Sequence, residues 1–172
     1  MLPVQESPVF GYIQAVPAEG LIARLNAHLE AATALLSALP EDKAGYAYAP
    51  GKWTVRQLVG HLLVSQRVFV TRAVRIARGE TKALTGYDEN LYAEGWPGED
   101  VPLSAVAAAY AAEAAATRAW LGLVRPAELE REGIANGTRL RPQEILRALI
   151  GHESHHLRVL AERYGLGPTG NS

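Results

Sequence analysis

A chain of 172 residues, 48% of them hydrophobic, is long enough to close one core of the usual domain size of about 100 to 200 residues. Seventeen basic residues against eighteen acidic ones leave a formal charge of -1 with no basic block, so nucleic acid is not expected as the main partner. The absence of cysteine rules out disulfides, thiolate metal ligands and a nucleophilic thiol belonging to the protein.

Met1-Leu2-Pro3-Val4-Gln5-Glu6 carries neither a basic region nor a long apolar run, and no later stretch approaches about 18 uninterrupted apolar residues. A soluble, cytoplasmic protein without a membrane partner is the expectation. Residues 1–17 hold three prolines and no helical period, which predicts an irregular lead-in lying over the domain. From Pro17 to Leu39, Leu21, Leu25, Ala32, Leu35 and Leu39 recur at helical spacing and mark a first amphipathic helix, with His28 inside its stripe. Pro40, Gly45, Pro50 and Gly51 then break the chain.

Thr54-Val55-Arg56-Gln57 reads as a capping box opening a second helix that runs to Arg78, with Gly79 as its stop. Its inward stripe is Leu58, His61, Leu62, Ser65, Val68, Phe69 and Arg72, so an imidazole and a guanidinium stand where apolar residues are expected. The connection from Gly79 to Pro102 is far longer than bundle helices need, and long loops of this kind are often functional. Ser104 is positioned to cap a third, alanine-rich helix through Val124, and Asn136-Gly137 predicts a small hairpin between Ile134 and Leu140. Pro142 suits the first turn of a last helix that continues to Tyr164, where Gly165 ends it and residues 166–172 form a flexible tail. Four long helices predict an all-α four-helix bundle over residues 18–165.

The chemistry concentrates in Gly151-His152-Glu153-Ser154-His155-His156, which holds three of the five histidines. His152 and His156 differ by about 40° in direction and one turn in height, so both rings can reach one ion, and Ile145 and Leu149 place that face inward. His61 is the best third ligand: antiparallel neighbours would bring it to the height of His156, and a parallel pair fits nearly as well. Three neutral imidazoles leave a divalent ion with an open position, as catalytic sites require. His155 points about 80° away and is read as a boundary residue, and His28 as a partly buried, hydrogen-bonded one. His152-Glu153-Ser154-His155-His156 also matches the zinc-protease pattern, but Val159 and Glu162 stand where its extended form needs glycine and histidine. Glu153 is either a group that orients or deprotonates a metal-bound species or a solvated surface glutamate.

In these motifs the chain resembles the DinB-like family (YfiT type). The resemblance rests on Pro50-Gly51-Lys52-Trp53-Thr54-Val55-Arg56-Gln57-Leu58-Val59-Gly60-His61-Leu62, Arg72 to Glu80, Gly86-Tyr87-Asp88-Glu89 and Gly151 to His156, and spans residues 18–165. The chain departs from the family at Val64 and Gln66, where acidic residues are frequent. The resemblance implies an up-down-down-up bundle whose long crossover lies between helices two and three, a metal triad of His61, His152 and His156, zinc or nickel as the ion, and a homodimer. It also implies a metal-dependent enzyme that moves a small thiol of the bacillithiol kind onto an electrophile. Such a thiol would be activated at the ion, with Arg72 pairing to its carboxylate and Tyr87, Asp88 and Tyr92 lining the mouth. A hydrolase using water at the same position, or a non-catalytic metal-binding bundle, are the alternatives.

Overall fold

The computed structural model describes residues 8–167. In chain order it contains α1 (Pro8–Gln14), α2 (Leu21–Ser37), a 3-10 turn (Glu41–Lys43), α3 (Val55–Ala77), α4 (Glu89–Ala93), α5 (Leu103–Leu121), α6 (Pro126–Leu129), β1 (Gly133–Ala135), β2 (Thr138–Leu140) and α7 (Pro142–Tyr164). The four long helices α2, α3, α5 and α7 form the bundle, and their apolar stripes meet in one core. Leu25, Leu29, Leu36, Leu58, Leu62, Ile76, Leu103, Ile145, Leu146, Leu149 and Leu160 are all fully buried there.

Contacts at one end of the bundle give the direction of each helix. The chain leaving α2 bonds the start of α3, where the Val55 amide donates to the Tyr46 carbonyl. The same region receives the start of α5, because the Glu41 carboxylate accepts from the Leu103 and Ser104 amides at 2.8 and 3.1 Å. The end of α7 returns there as well, its Tyr164 hydroxyl donating to the Trp53 carbonyl at 2.7 Å. The order is therefore up-down-down-up, and α2 packs on α5 and α7 while α3 packs on the same two helices from the other side. The long link between α3 and α5 is the crossover that makes those two helices parallel.

Local signals act as expected at several ends. The Thr54 hydroxyl accepts from the Gln57 amide at 3.2 Å and the Gln57 side chain accepts from the Thr54 amide at 2.8 Å, closing the capping box. β1 and β2 pair antiparallel across Asn136 (φ 50°) and Gly137 (φ 74°), the left-handed pair that a two-residue hairpin turn needs. Gly165, at φ 69°, ends α7.

Three expectations change. Residues 8–14 are not irregular: they form α1, which lays Val9, Tyr12 and Ile13 along α7. Two turns are too short to show a period, and what secures them is distant, since Arg147 donates to the Val16 and Ile13 carbonyls at 2.7 and 2.8 Å. Residues 1–7 of the expected lead-in lie outside the described residues, as do 168–172 of the expected tail. The first long helix begins at Leu21 rather than Pro17, behind a left-handed Gly20. Ser104 does not cap α5, which starts one residue earlier at Leu103 and ends at Leu121; the Glu41 carboxylate supplies the acceptor instead.

Two glycines bring outside segments against the bundle. A Cβ on Gly60 would fall 2.6 Å from Pro97 in the crossover, and one on Gly151 would fall 2.5 Å from the Tyr12 carbonyl oxygen of α1. Each glycine immediately precedes a histidine of the candidate site, so the crossover and α1 approach that site closely. No described helix is long and apolar enough to cross a membrane.

Candidate metal centre

α3 and α7 run antiparallel and in contact, which brings His61, one residue past Gly60, against His152 and His156. The Nε2 atom of His61 lies 3.0 Å from that of His152 and 3.2 Å from that of His156. Among the described residues these three form the group able to offer ligand atoms to one ion. Donors bound to a tetrahedral ion at about 2.0–2.1 Å stand roughly 3.3 Å apart, so the spacing is slightly tight but suited to a divalent metal. Protons alone satisfy the cluster poorly, since three nitrogens facing one point cannot all donate.

Burial keeps the imidazoles neutral, as ligands must be. It lowers His61 from 6.5 to about 4. His156 falls to about 3 and His152 to about 2, mainly by burial and then by the charges that neighbouring histidines would carry. Aromatic rings close the surroundings: Trp53 is 4.7 Å from the His61 ring, and Tyr12 and Phe69 are 5.5 and 5.6 Å from His152. The buried Nδ1 of His152 has no hydrogen-bond partner. The donor set, its neutrality and its spacing fit a divalent ion with at least one face left open.

A cavity of about 350 Å³ reaches His152. Val9 and Tyr12 of α1, Phe69 and Arg72 of α3, Tyr87 to Glu89 of the crossover and Thr138 and Leu140 of the hairpin line it. Arg72 donates to the Thr85 carbonyl at 2.7 Å and lies 6.0 Å over the Tyr87 ring, without a carboxylate partner among the described residues. The Tyr87 hydroxyl meets Ser65 Oγ at 2.9 Å, and burial raises its pKa. Asp88 is on the cavity wall, but its carboxylate also accepts from the Asn90 and Leu91 amides and starts α4. Tyr92 is half exposed and packs on Tyr87, 5.0 Å between centroids, rather than lining this cavity. Ser65, Tyr12 and Trp53 were given no part in the site by sequence reasoning, and only the position of Ser65 on the inward stripe one turn beyond His61 hinted at it.

Glu153 turns away from the triad, toward α2 and α5. Its Oε2 lies 2.8 Å from His28 Nε2 and accepts from the Tyr110 hydroxyl at 2.9 Å, and the residue is fully buried. It is thus not a solvated glutamate, and its contacts are to His28 and Tyr110 rather than to the triad histidines. His28 is the hydrogen-bonded residue its stripe position suggested. His155 is exposed, 5.1 Å from the His156 ring and outside the triad. Gln66, one of the two departures from the family pattern, is buried and donates to Thr117 at 3.2 Å. Glu153→Ala leaves a part-buried imidazole and a buried phenol unpaired and is expected to cost about 2–4 kcal/mol, lowering the thermal midpoint by about 10 °C. The stoichiometry of bound metal should stay unchanged. An unaltered melting curve, or loss of the ion, would show that this trio does something else.

An up-down-down-up bundle with three converging histidines on antiparallel helices defines a helical protein with a candidate metal centre. The chain belongs to the DinB superfamily, whose family model matches residues 24–160. Among solved structures it is similar to YfiT from Bacillus subtilis, described as a probable metal-dependent hydrolase with an unusual four-helix bundle topology. That likeness has a TM-score of 0.66 at 21% identity and covers 97% of this chain and 93% of YfiT. No curated protein sequence matches the chain.

Proposed function

We propose that the protein is a metal-dependent enzyme that transfers a low-molecular-weight thiol to an electrophile. The observation that carries this reading is the cavity that joins His152 to Arg72, a guanidinium with no carboxylate partner among the described residues. A cosubstrate with a carboxylate satisfies Arg72 through a charge-assisted pair, and the acidic Asp88 and Glu89 on the same wall suit an ammonium. A cysteinyl thiol of the bacillithiol kind offers both. The chain has no thiol of its own, so the sulfur nucleophile has to arrive with this cosubstrate.

When bound, zinc or nickel supplies the Lewis acidity that lowers the pKa of a thiol at its open face. His61, His152 and His156 hold the ion and, being neutral, leave its positive charge in place. Arg72 and Tyr87 orient the thiol's polar end, and Val9, Phe69 and Leu140 exclude water around the reacting sulfur. In the transfer the thiol gives up its proton to the buffer as it binds, a carbon–sulfur bond forms, and the bond from that carbon to its leaving group breaks, the leaving group departing with the bonding pair. We take the working assembly to be a cytoplasmic homodimer.

Water could take the same place, and the likeness to YfiT favours that second reading of a hydrolase. Metal-loaded protein incubated with L-cysteine and a chlorinated nitroaromatic, with products separated by mass, distinguishes the two. The thioether should form above the rate of free metal ion, and Arg72→Leu should raise the KM for cysteine about tenfold or more. Phenol from hydrolysis with no thioether would replace the first reading by the second. Neither product above background would make the protein a non-catalytic metal binder.

A further inference from the structure

We propose that Ser65 is the hydroxyl that holds a reactant at the open face of the histidine centre, and that Tyr87 of the crossover fixes the direction of its proton. The inference rests on the metal reading of the triad but not on the identity of the reaction. Ser65 is fully buried, one turn beyond His61 on α3. A buried helical serine usually returns its proton to the carbonyl four residues back. Among the described residues Ser65 makes no such bond; its Oγ lies 2.9 Å from the Tyr87 hydroxyl and 3.4 Å from each ring nitrogen of His61.

Those two equal distances place Oγ over the ring, as near to Nε2 as to Nδ1 and in line with neither lone pair. It therefore stands beside the nitrogen that faces His152 and His156 without being bonded to it. With an ion on Nε2, that lone pair is committed and Nδ1 must carry a hydrogen. Neither nitrogen can then accept from Ser65. Tyr87 is the more acidic of the two hydroxyls and donates to Ser65 Oγ, which leaves the serine hydrogen free for whatever lies over the ion. An anionic reactant, such as a thiolate, is what that hydrogen would stabilise most.

Tyr87 is held for this task from several sides. Its ring is packed by Tyr92 at 5.0 Å and lies 6.0 Å beneath the Arg72 guanidinium. Arg72 in turn ties the crossover to α3 through the Thr85 carbonyl, and burial that raises the tyrosine's pKa keeps the phenol protonated. The crossover thus contributes a specific hydroxyl to the centre as well as forming a wall.

Cobalt(II) and 2-mercaptoethanol serve as probes. Visible absorption of the tag-free protein titrated with cobalt gives the metal affinity, and the sulfur-to-cobalt charge-transfer band on adding the thiol gives the thiol affinity. Ser65→Ala is expected to weaken thiol binding about ten- to a hundredfold, the range for losing a hydrogen bond to a charged group, while cobalt affinity changes less than about twofold. Tyr87→Phe should act in the same direction to a smaller extent. The double variant should be no worse than Ser65→Ala, because the two hydroxyls act as one unit, and Ser65→Thr should restore binding. Thiol affinity equal to wild type in Ser65→Ala, or a parallel fall in cobalt affinity, overturns the inference and leaves Ser65 a packing residue. If wild-type protein takes up no cobalt, the metal reading itself fails, and this inference with it.

Discussion

His61→Ala is expected to purify with no stoichiometric metal, whereas tag-free wild type carries about one ion per chain by elemental analysis. The centre draws one nitrogen from α3 and two from α7, so removing His61 leaves a pair on a single helix, with no donor from the facing side to complete a pocket. Loss of a mere outer-shell partner commonly weakens metal binding by about 10–100-fold, and loss of one of three ligands should exceed that. Helical circular dichroism should persist, because Leu58 and Leu62 on the same helix remain buried. Retention of one ion per chain in the variant, or none in wild type, would mean that the approach of the His152 and His156 Nε2 atoms to 3.0 and 3.2 Å from that of His61 serves something other than coordination. Trp53, 4.7 Å from the His61 ring, offers a fluorescence signal to follow ion uptake independently.

The parts legible in the sequence are those whose cause is local. The capping box at Thr54 and Gln57, the Asn136-Gly137 hairpin and the Gly165 stop each follow from a few adjacent residues, as does the four-residue spacing that puts His152 and His156 on one face. The parts that were not legible depend on partners far away in the chain. α1 is held by Arg147, about 130 residues on, and α5 is capped by Glu41, 62 residues before Leu103. Glu153 illustrates the limit best. A charged residue beside two inward histidines gives no sign of facing inward itself, and only the packing of α7 on α2, with α5 diagonally across the core, supplies His28 and Tyr110 as its partners. Tyr87 was picked out for the cavity from its place in a long acidic loop, but its bond to Ser65 exists only because the crossover doubles back over α3.

Metal-free protein is expected to lose stability steeply as the pH falls from about 6.5 toward 4.5. In the unfolded chain the three site histidines titrate near 6.5, while in the fold burial holds His61 down to about 4, His156 to about 3 and His152 to about 2. Between those values the unfolded chain binds protons that the folded chain refuses, so each proton taken up favours unfolding. The stability is fully present above pH 6.5 and declines below it by up to about 1.4 kcal/mol per pH unit for each imidazole. It levels off only as each group finally protonates within the fold. Carboxylates held low in the fold, such as Glu128 beside Arg125, start to contribute only below about pH 4.5, which leaves the upper window to the histidines. Urea denaturation at half-unit pH steps, with chelator present, measures the slope, and His61→Gln should reduce it by removing one of the three groups. Saturating metal should raise stability at neutral pH through preferential binding to the native state, yet make the acid decline steeper, because protons then also compete with the ion for the same nitrogens. A flat profile between pH 6.5 and 4.5 in the metal-free protein would mean that the imidazoles are solvated there, and the dry, neutral donor set on which coordination depends would not exist.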